Sequence, residues 1–117
     1  MRWLWIGIVA LAMGLGLIGC GAPTGMYDWG SYQTSVLNVY VDPSPEQRAK
    51  DRQKLIDEVR KTELKGAQRV PPGKYAQIGY LRLVDGDTRA ARTYFQAERE
   101  AYPESKELMD TLLARLH

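Results

Sequence analysis

The chain has 117 residues, with 16 Lys and Arg against 14 Asp and Glu, 44% hydrophobic residues and a single cysteine. A formal charge of +2 offers no strong field to nucleic acid or to an acidic substrate, and one cysteine excludes an intramolecular disulfide. Non-covalent packing must hold the fold, in a chain long enough for one small domain.

Met1 and Arg2 precede WLWIGIVALAMGLGLIG, an uncharged stretch with glycine at positions 7, 14, 16 and 19. One basic residue, about fifteen apolar residues and small residues near the end have the pattern of an export signal, whereas a membrane span needs about 20 apolar residues with anchoring flanks. Cys20 closes the run. Leu17, Ile18, Gly19 and Cys20 resemble the bacterial lipobox. That resemblance implies a diacylglyceryl group on the Cys20 sulfur, cleavage between Gly19 and Cys20, and a palmitate-type acyl chain on the new amino end. The chemistry needs a thiol, whose thiolate is the strong nucleophile for a thioether. Several chains on one residue give stable attachment, at about 0.8 kcal/mol per buried methylene. The bland alternative is an ordinary buried cysteine in an uncleaved helix.

Loss of residues 1–19 leaves 98 of the 117 residues and, without Arg2, 15 basic against 14 acidic groups. Gly21 follows the cysteine. In enterobacterial lipoproteins Asp at that position retains the product in the inner membrane, so the resemblance points to the outer membrane, facing the periplasm. Residues 20–26 then form a lipidated tether, with GAPTG at 21–25 too poor in side chains to join a core. Residues 27–117 form the domain.

Order is expected to begin with MYDWGSY at 26–32, whose Tyr27, Trp29 and Tyr32 would be costly to leave in water. Stapling the first helix to the core is the plainer role for these rings, and a docking strip the sharper one. Segment 32–41 is ambiguous, because Val36, Val39 and Val41 favour a strand while Tyr32, Val36, Leu37 and Tyr40 fall at helical spacing. We read a short helix, with Ser31 as its N-cap. Ser44, Pro45 and Gln47 then mark a helix start with a capping box, and Gly66 its end after about Lys65. Its apolar stripe is thin: Ala49, Leu55, Ile56, Val59 and Leu64. Lys54 with Glu58 and Asp57 with Lys61 stand four residues apart, where ion pairs support a helix. Residues 48–74 hold nine basic and four acidic side chains, whereas 85–110 hold seven acidic and four basic. Solvated helix faces explain such a division, and a basic face towards anionic lipid or an acidic partner is the alternative.

Pro71, Pro72 and Gly73 open two amphipathic stretches separated by Asp85, Gly86 and Asp87. The glycine permits the turn and Asp87 can cap the following helix. Tyr75, Ile78, Gly79 and Leu83 share one face of the first; Ala91, Tyr94, Phe95, Glu98 and Tyr102 share one face of the second. Gly79 and Ala91 are small where two helices approach, which describes an αα-hairpin. Gly79, Gly86, Ala91, Phe95 and Pro103 also resemble the spacing of a tetratricopeptide repeat of 34 residues starting at Pro72. Arg82 replaces the usual aromatic there, and Glu98 the usual alanine. A last helix, capped by Ser105, carries Leu108, Met109, Leu112, Leu113 and Leu116 and would close the stack. The expected fold is all-α, with about five helices in tetratricopeptide-like hairpins.

No catalytic constellation emerges. The single histidine is the terminal His117, and Asp85-Gly86-Asp87 lacks the spacing of a calcium loop. Neither a phosphate-cradling loop, a nucleophile elbow nor a dinucleotide fingerprint is present. We therefore expect no enzyme, no metal ligands and no cofactor beyond the covalent lipid on Cys20.

The lipobox, WGSY at 29–32, VPPG at 70–73, GYL at 79–81, GD at 86–87, YF at 94–95, YPES at 102–105 and MD at 109–110 together resemble a family of small bacterial lipoproteins catalogued as domain of unknown function 4810. The resemblance covers about residues 27–114. It implies an envelope lipoprotein encoded beside two others, one of them similar to the curli secretion channel. The expected role is protein interaction or assembly with such lipoproteins, through Trp29, Tyr75, Arg82 and Tyr94, although core packing competes for both tyrosines. A peptide or glycan ligand held in an aromatic groove at Trp29 is the alternative.

Overall fold

The structure, a computed structural model, describes residues 25–117. Leu17, Ile18, Gly19 and Cys20, with the proposed cleavage and lipidation, lie outside the described residues. Those described are all-α: α1 (Tyr32–Val41), α2 (Pro45–Lys65), α3 (Lys74–Val84), α4 (Thr88–Ala101) and α5 (Lys106–Ala114), with a 3₁₀ turn at Pro103–Ser105.

The valine-rich segment is helical because Tyr32 and Val39 dock onto a core shared by α2 and α3. Tertiary burial outweighs the β-preference of its valines. Ser31 stands at the N-cap, but its hydroxyl makes no capping bond; its backbone N–H instead donates to both Glu58 oxygens at 3.1 Å.

At the start of α2, Ser44 accepts from the Gln47 N–H at 3.2 Å, as expected. The other half of the capping box is missing, since Gln47 Nε2 donates to Asp51 at 2.9 Å. Gly66 ends the helix with φ 65°, a left-handed conformation that glycine adopts without penalty. Leu55, Val59 and Thr62 point inward. Leu64 departs from the expected stripe and is 82% exposed, because two residues beyond Thr62 is about 200° around the helix. The expected pairs along α2 are also replaced: Glu58 turns to Lys74, and Asp57 accepts from Gln53 at 2.9 Å.

The α3–α4 hairpin forms as its residues dictate. Asp87 accepts from the Ala90 N–H at 3.1 Å and caps α4. A Cβ at Gly79 would stand 2.7 Å from one Phe95 ring carbon and 2.8 Å from another, so the helices touch at that point. Central in the fold, α3 sends Ile78 and Leu81 into a cluster with Leu55, Val59 and Val70. Ala76 and Leu83 pack against a second cluster of Ala91, Phe95, Met109 and Leu116. Thus α5 closes one side through Met109, while Leu108 stays exposed. Ser105 precedes α5 without capping it; its hydroxyl donates to the Tyr102 carbonyl at 2.7 Å.

Candidate functional site

Residues 26–28 run beside the loop that joins α2 to α3. Arg69 N–H donates to the Met26 carbonyl at 2.8 Å, and Asp28 N–H to the Arg69 carbonyl at 3.0 Å, forming an isolated parallel bridge. This pairing lays the aromatic segment across the domain. Tyr27 meets Trp29 edge-on at 5.9 Å, Trp29 lies 5.8 Å from Tyr32, and Tyr27 lies 6.5 Å from Tyr102. The Arg69 guanidinium stands 5.9 Å over the Tyr102 ring. The rings therefore staple the N-terminal segment to α1 and to the end of α4, while Trp29 remains 42% exposed.

Beneath them lies a polar junction that nothing in the local pattern announced. Lys74 is wholly buried; its Nζ pairs with Glu58 at 2.9 Å and donates to the Asp28 carbonyl at 3.1 Å. Burial pushes the Glu58 carboxyl up, but the Lys74 ammonium and the Ser31 backbone N–H outweigh it and hold the pKa below the ordinary 4.5. Thr62 Oγ1 donates to the Asp28 carboxylate at 2.7 Å. The Tyr102 hydroxyl donates to the Val70 carbonyl.

Glu98, out of place for a small-residue position, has a clear task. Gly73 stands at the N-cap of α3 with φ 93° and no side chain to cap it, and a Cβ there would meet the Tyr32 hydroxyl at 2.6 Å. Glu98 supplies the cap from α4, accepting from Gly73 N–H at 2.7 Å and Ala76 N–H at 3.4 Å. Burial nevertheless dominates and raises its pKa above 4.5. A raised carboxyl means that the folded state holds its proton more tightly, so this group lowers stability as pH climbs from about 4.5 through the folded pKa. Glu98→Gln keeps one accepting oxygen and removes that slope. Thermal unfolding of the two proteins across pH 4–8 should show the curves diverging on the alkaline side; parallel curves would refute the assignment.

Two open grooves flank this frame. One, of about 260 Å³, is lined by Thr62, Glu63, Arg69, Val70, Tyr75 and Ala101 among others. The second, of about 250 Å³, lies between α1 and α3 and is lined by Val36, Val39, Tyr40, Gln77 and Tyr80. Tyr40 is 81% exposed, and Leu37, Val41 and Val84 are exposed on the same two helices.

The four expected contact residues do not share a surface. Trp29 belongs to the aromatic staple. Tyr75 lines the first groove, its hydroxyl donating to Glu63 at 2.6 Å, and burial with that carboxylate keeps the phenol protonated. Half-buried Arg82 reaches Asp87 at 3.5 Å, and Tyr94 packs against the core shared by α2 and α3. The groove between α1 and α3 was not anticipated. Of its lining residues, Val36 and Tyr40 fall in the stripe read for α1, and Tyr80 lies outside the stripe read for α3.

Residues 26–112 match the family described as Domain of unknown function (DUF4810). The chain belongs to that family. The DUF4810 match opens at Met26, the residue whose carbonyl begins the pairing with Arg69, so the family's domain includes the aromatic segment. No curated protein and no solved structure matches the chain.

Proposed function

We propose that this DUF4810 chain is an outer-membrane lipoprotein, anchored by acyl chains on Cys20, whose tetratricopeptide-like helical domain is a non-enzymatic adaptor for other envelope lipoproteins. A relative of the curli secretion channel is the partner that the family resemblance suggests. The observation that supports an adaptor is the apolar groove between α1 and α3, with Tyr40 and Tyr80 at its edge. Contiguous exposed apolar surface in a small domain marks an interaction site more often than it marks nothing. Confinement to a membrane surface raises effective concentration, so a modest contact suffices.

A photo-crosslinking residue placed at 40 or 80 in the native host should capture an envelope lipoprotein, and one at Asp57 should not. Tyr40→Ala with Tyr80→Ala should lower capture by about tenfold, the scale of losing an aromatic anchor, without changing thermal unfolding. Cys20→Ser should abolish both fatty-acid labelling and capture. Equal adducts from all three positions would reject the groove. A second reading, a peptide or glycan ligand, draws on the half-exposed Trp29 ring. It calls for a thermal shift with envelope fragments worth about 2.7 kcal/mol at a hundredfold excess over Kd.

A further inference from the structure

The end of the domain from which the N-terminal segment departs is basic. Arg60, Lys61 and Lys65 project from the last turns of α2, and Arg69 from the loop beyond; all four are exposed. None of them makes an ion pair among the described residues. Two acids stand nearby without pairing to these cations: Glu63 accepts from the Tyr75 hydroxyl and Asp28 from Thr62, so the four basic side chains outnumber them. Exposed Leu64 sits within this basic turn, and half-exposed Trp29 lies on the adjoining segment.

The path of the segment towards Cys20 gives this charge a counterpart. Gly25 is pinned here, its carbonyl accepting from Gln68 Nε2 at 2.8 Å. Four residues lie between it and Cys20, and these five Cα-to-Cα steps span at most about 18 Å when fully extended. The field of an anionic bilayer fades over about 8 Å at physiological salt. A lipid on Cys20 would thus let this end, more than any other, come within range of the headgroups. Lysine and arginine gain from that field, while leucine and the amphipathic indole suit the interface.

We propose that the basic end formed by Arg60, Lys61, Lys65 and Arg69 is a docking face for the anionic phospholipid surface that carries the anchor, with Leu64 and Trp29 entering the interface. Docking converts a loose tether into a fixed orientation of the domain. The inference rests on the lipoprotein reading for the nearness of the membrane.

The test is lysine acetylation footprinting of the full chain, reconstituted in vesicles of phosphatidylcholine alone or mixed with phosphatidylglycerol. On the anionic vesicles Lys61 and Lys65 should react about fivefold more slowly, the scale set by one basic side chain at a charged surface. Lys50, about 22 Å along the same helix, should change less than about twofold. Salt near about 0.5 M should remove the protection, and Arg60→Gln with Arg69→Gln should weaken it. Equal rates on the two vesicle types overturn the proposal, as does protection that appears only when an envelope extract is added, which would assign the face to an acidic protein. Intact mass, read on the same samples, reports cleavage and acylation separately. An unprocessed chain refutes the lipoprotein reading, while its lysine rates still decide for or against the docking face.

Discussion

Lys74→Met should destabilise the domain by about 3 kcal/mol, near the lower end of the cost of breaking a buried ion pair. Methionine fills most of the volume of the aliphatic stem, so little of this loss comes from a cavity. It comes from Glu58, deprived of its ammonium partner, and from the Asp28 carbonyl, deprived of a donor. Glu58 keeps a fifth of its side chain exposed, and water there moderates the penalty. Urea unfolding followed by circular dichroism measures the change. Glu58→Gln added to Lys74→Met should recover part of the loss, because a neutral amide is cheaper to leave unpaired. A pH series supplies the sign. The lowered pKa of Glu58 contributes stability present above about 4.5 and lost as pH falls through the folded value, so this acid-side loss should shrink in Lys74→Met. A variant as stable as the parent would mean that the junction holds nothing together.

Phe95→Ala should cost about 3–5 kcal/mol, the range for removing a buried phenyl ring from a packed core. Phe95 is 1% exposed and links α4 to α5 through Met109. Gly79→Ala should cost about 1–3 kcal/mol by overpacking, even though alanine gains up to about 1 kcal/mol over glycine in helix propensity. The new methyl would sit 2.7 Å from the ring and 3.3 Å from the Ala91 carbonyl, and backbone cannot retreat as a side-chain tip can. In a Phe95→Ala background the clash with the ring disappears and only the 3.3 Å approach to the Ala91 carbonyl remains, so Gly79→Ala should cost much less than in the parent. The double-mutant cycle should therefore show coupling well beyond about 0.5 kcal/mol. Additive effects would contradict the close approach of α3 and α4.

These contrasts mark where the sequence was legible. Ser44 with Pro45, Asp87 and Gly66 carry information within one helical turn, and they located three helix ends. Gly79 and Phe95 carry it across a short hairpin, where two apolar stripes of known period must face one another. Ser31 and Ser105 misled as caps because a serine hydroxyl has several possible partners, and the choice between them depends on groups brought from elsewhere. Leu64 misled because a long polar helix with few apolar positions defines its inward face weakly. The sequence offers Trp29, Tyr75, Arg82 and Tyr94 together as contact candidates, and the structure places each separately without bringing them to one site.

By itself, the sequence determined that the domain is helical, where most helices begin and end, and which stripes meet in the α3–α4 hairpin; capping and periodicity act over a few residues and need no distant partner. Only the tertiary structure decided that residues 26–28 pair with the α2–α3 loop, that Glu98 caps α3 from another helix, and that Lys74 lies buried against Glu58. It also decided which apolar residues of α1 and α3 remain outside the core. The physical reason is common to all of these. A charge or a backbone donor accepts any partner that desolvation leaves within reach, and which partner that is follows from how the whole chain packs.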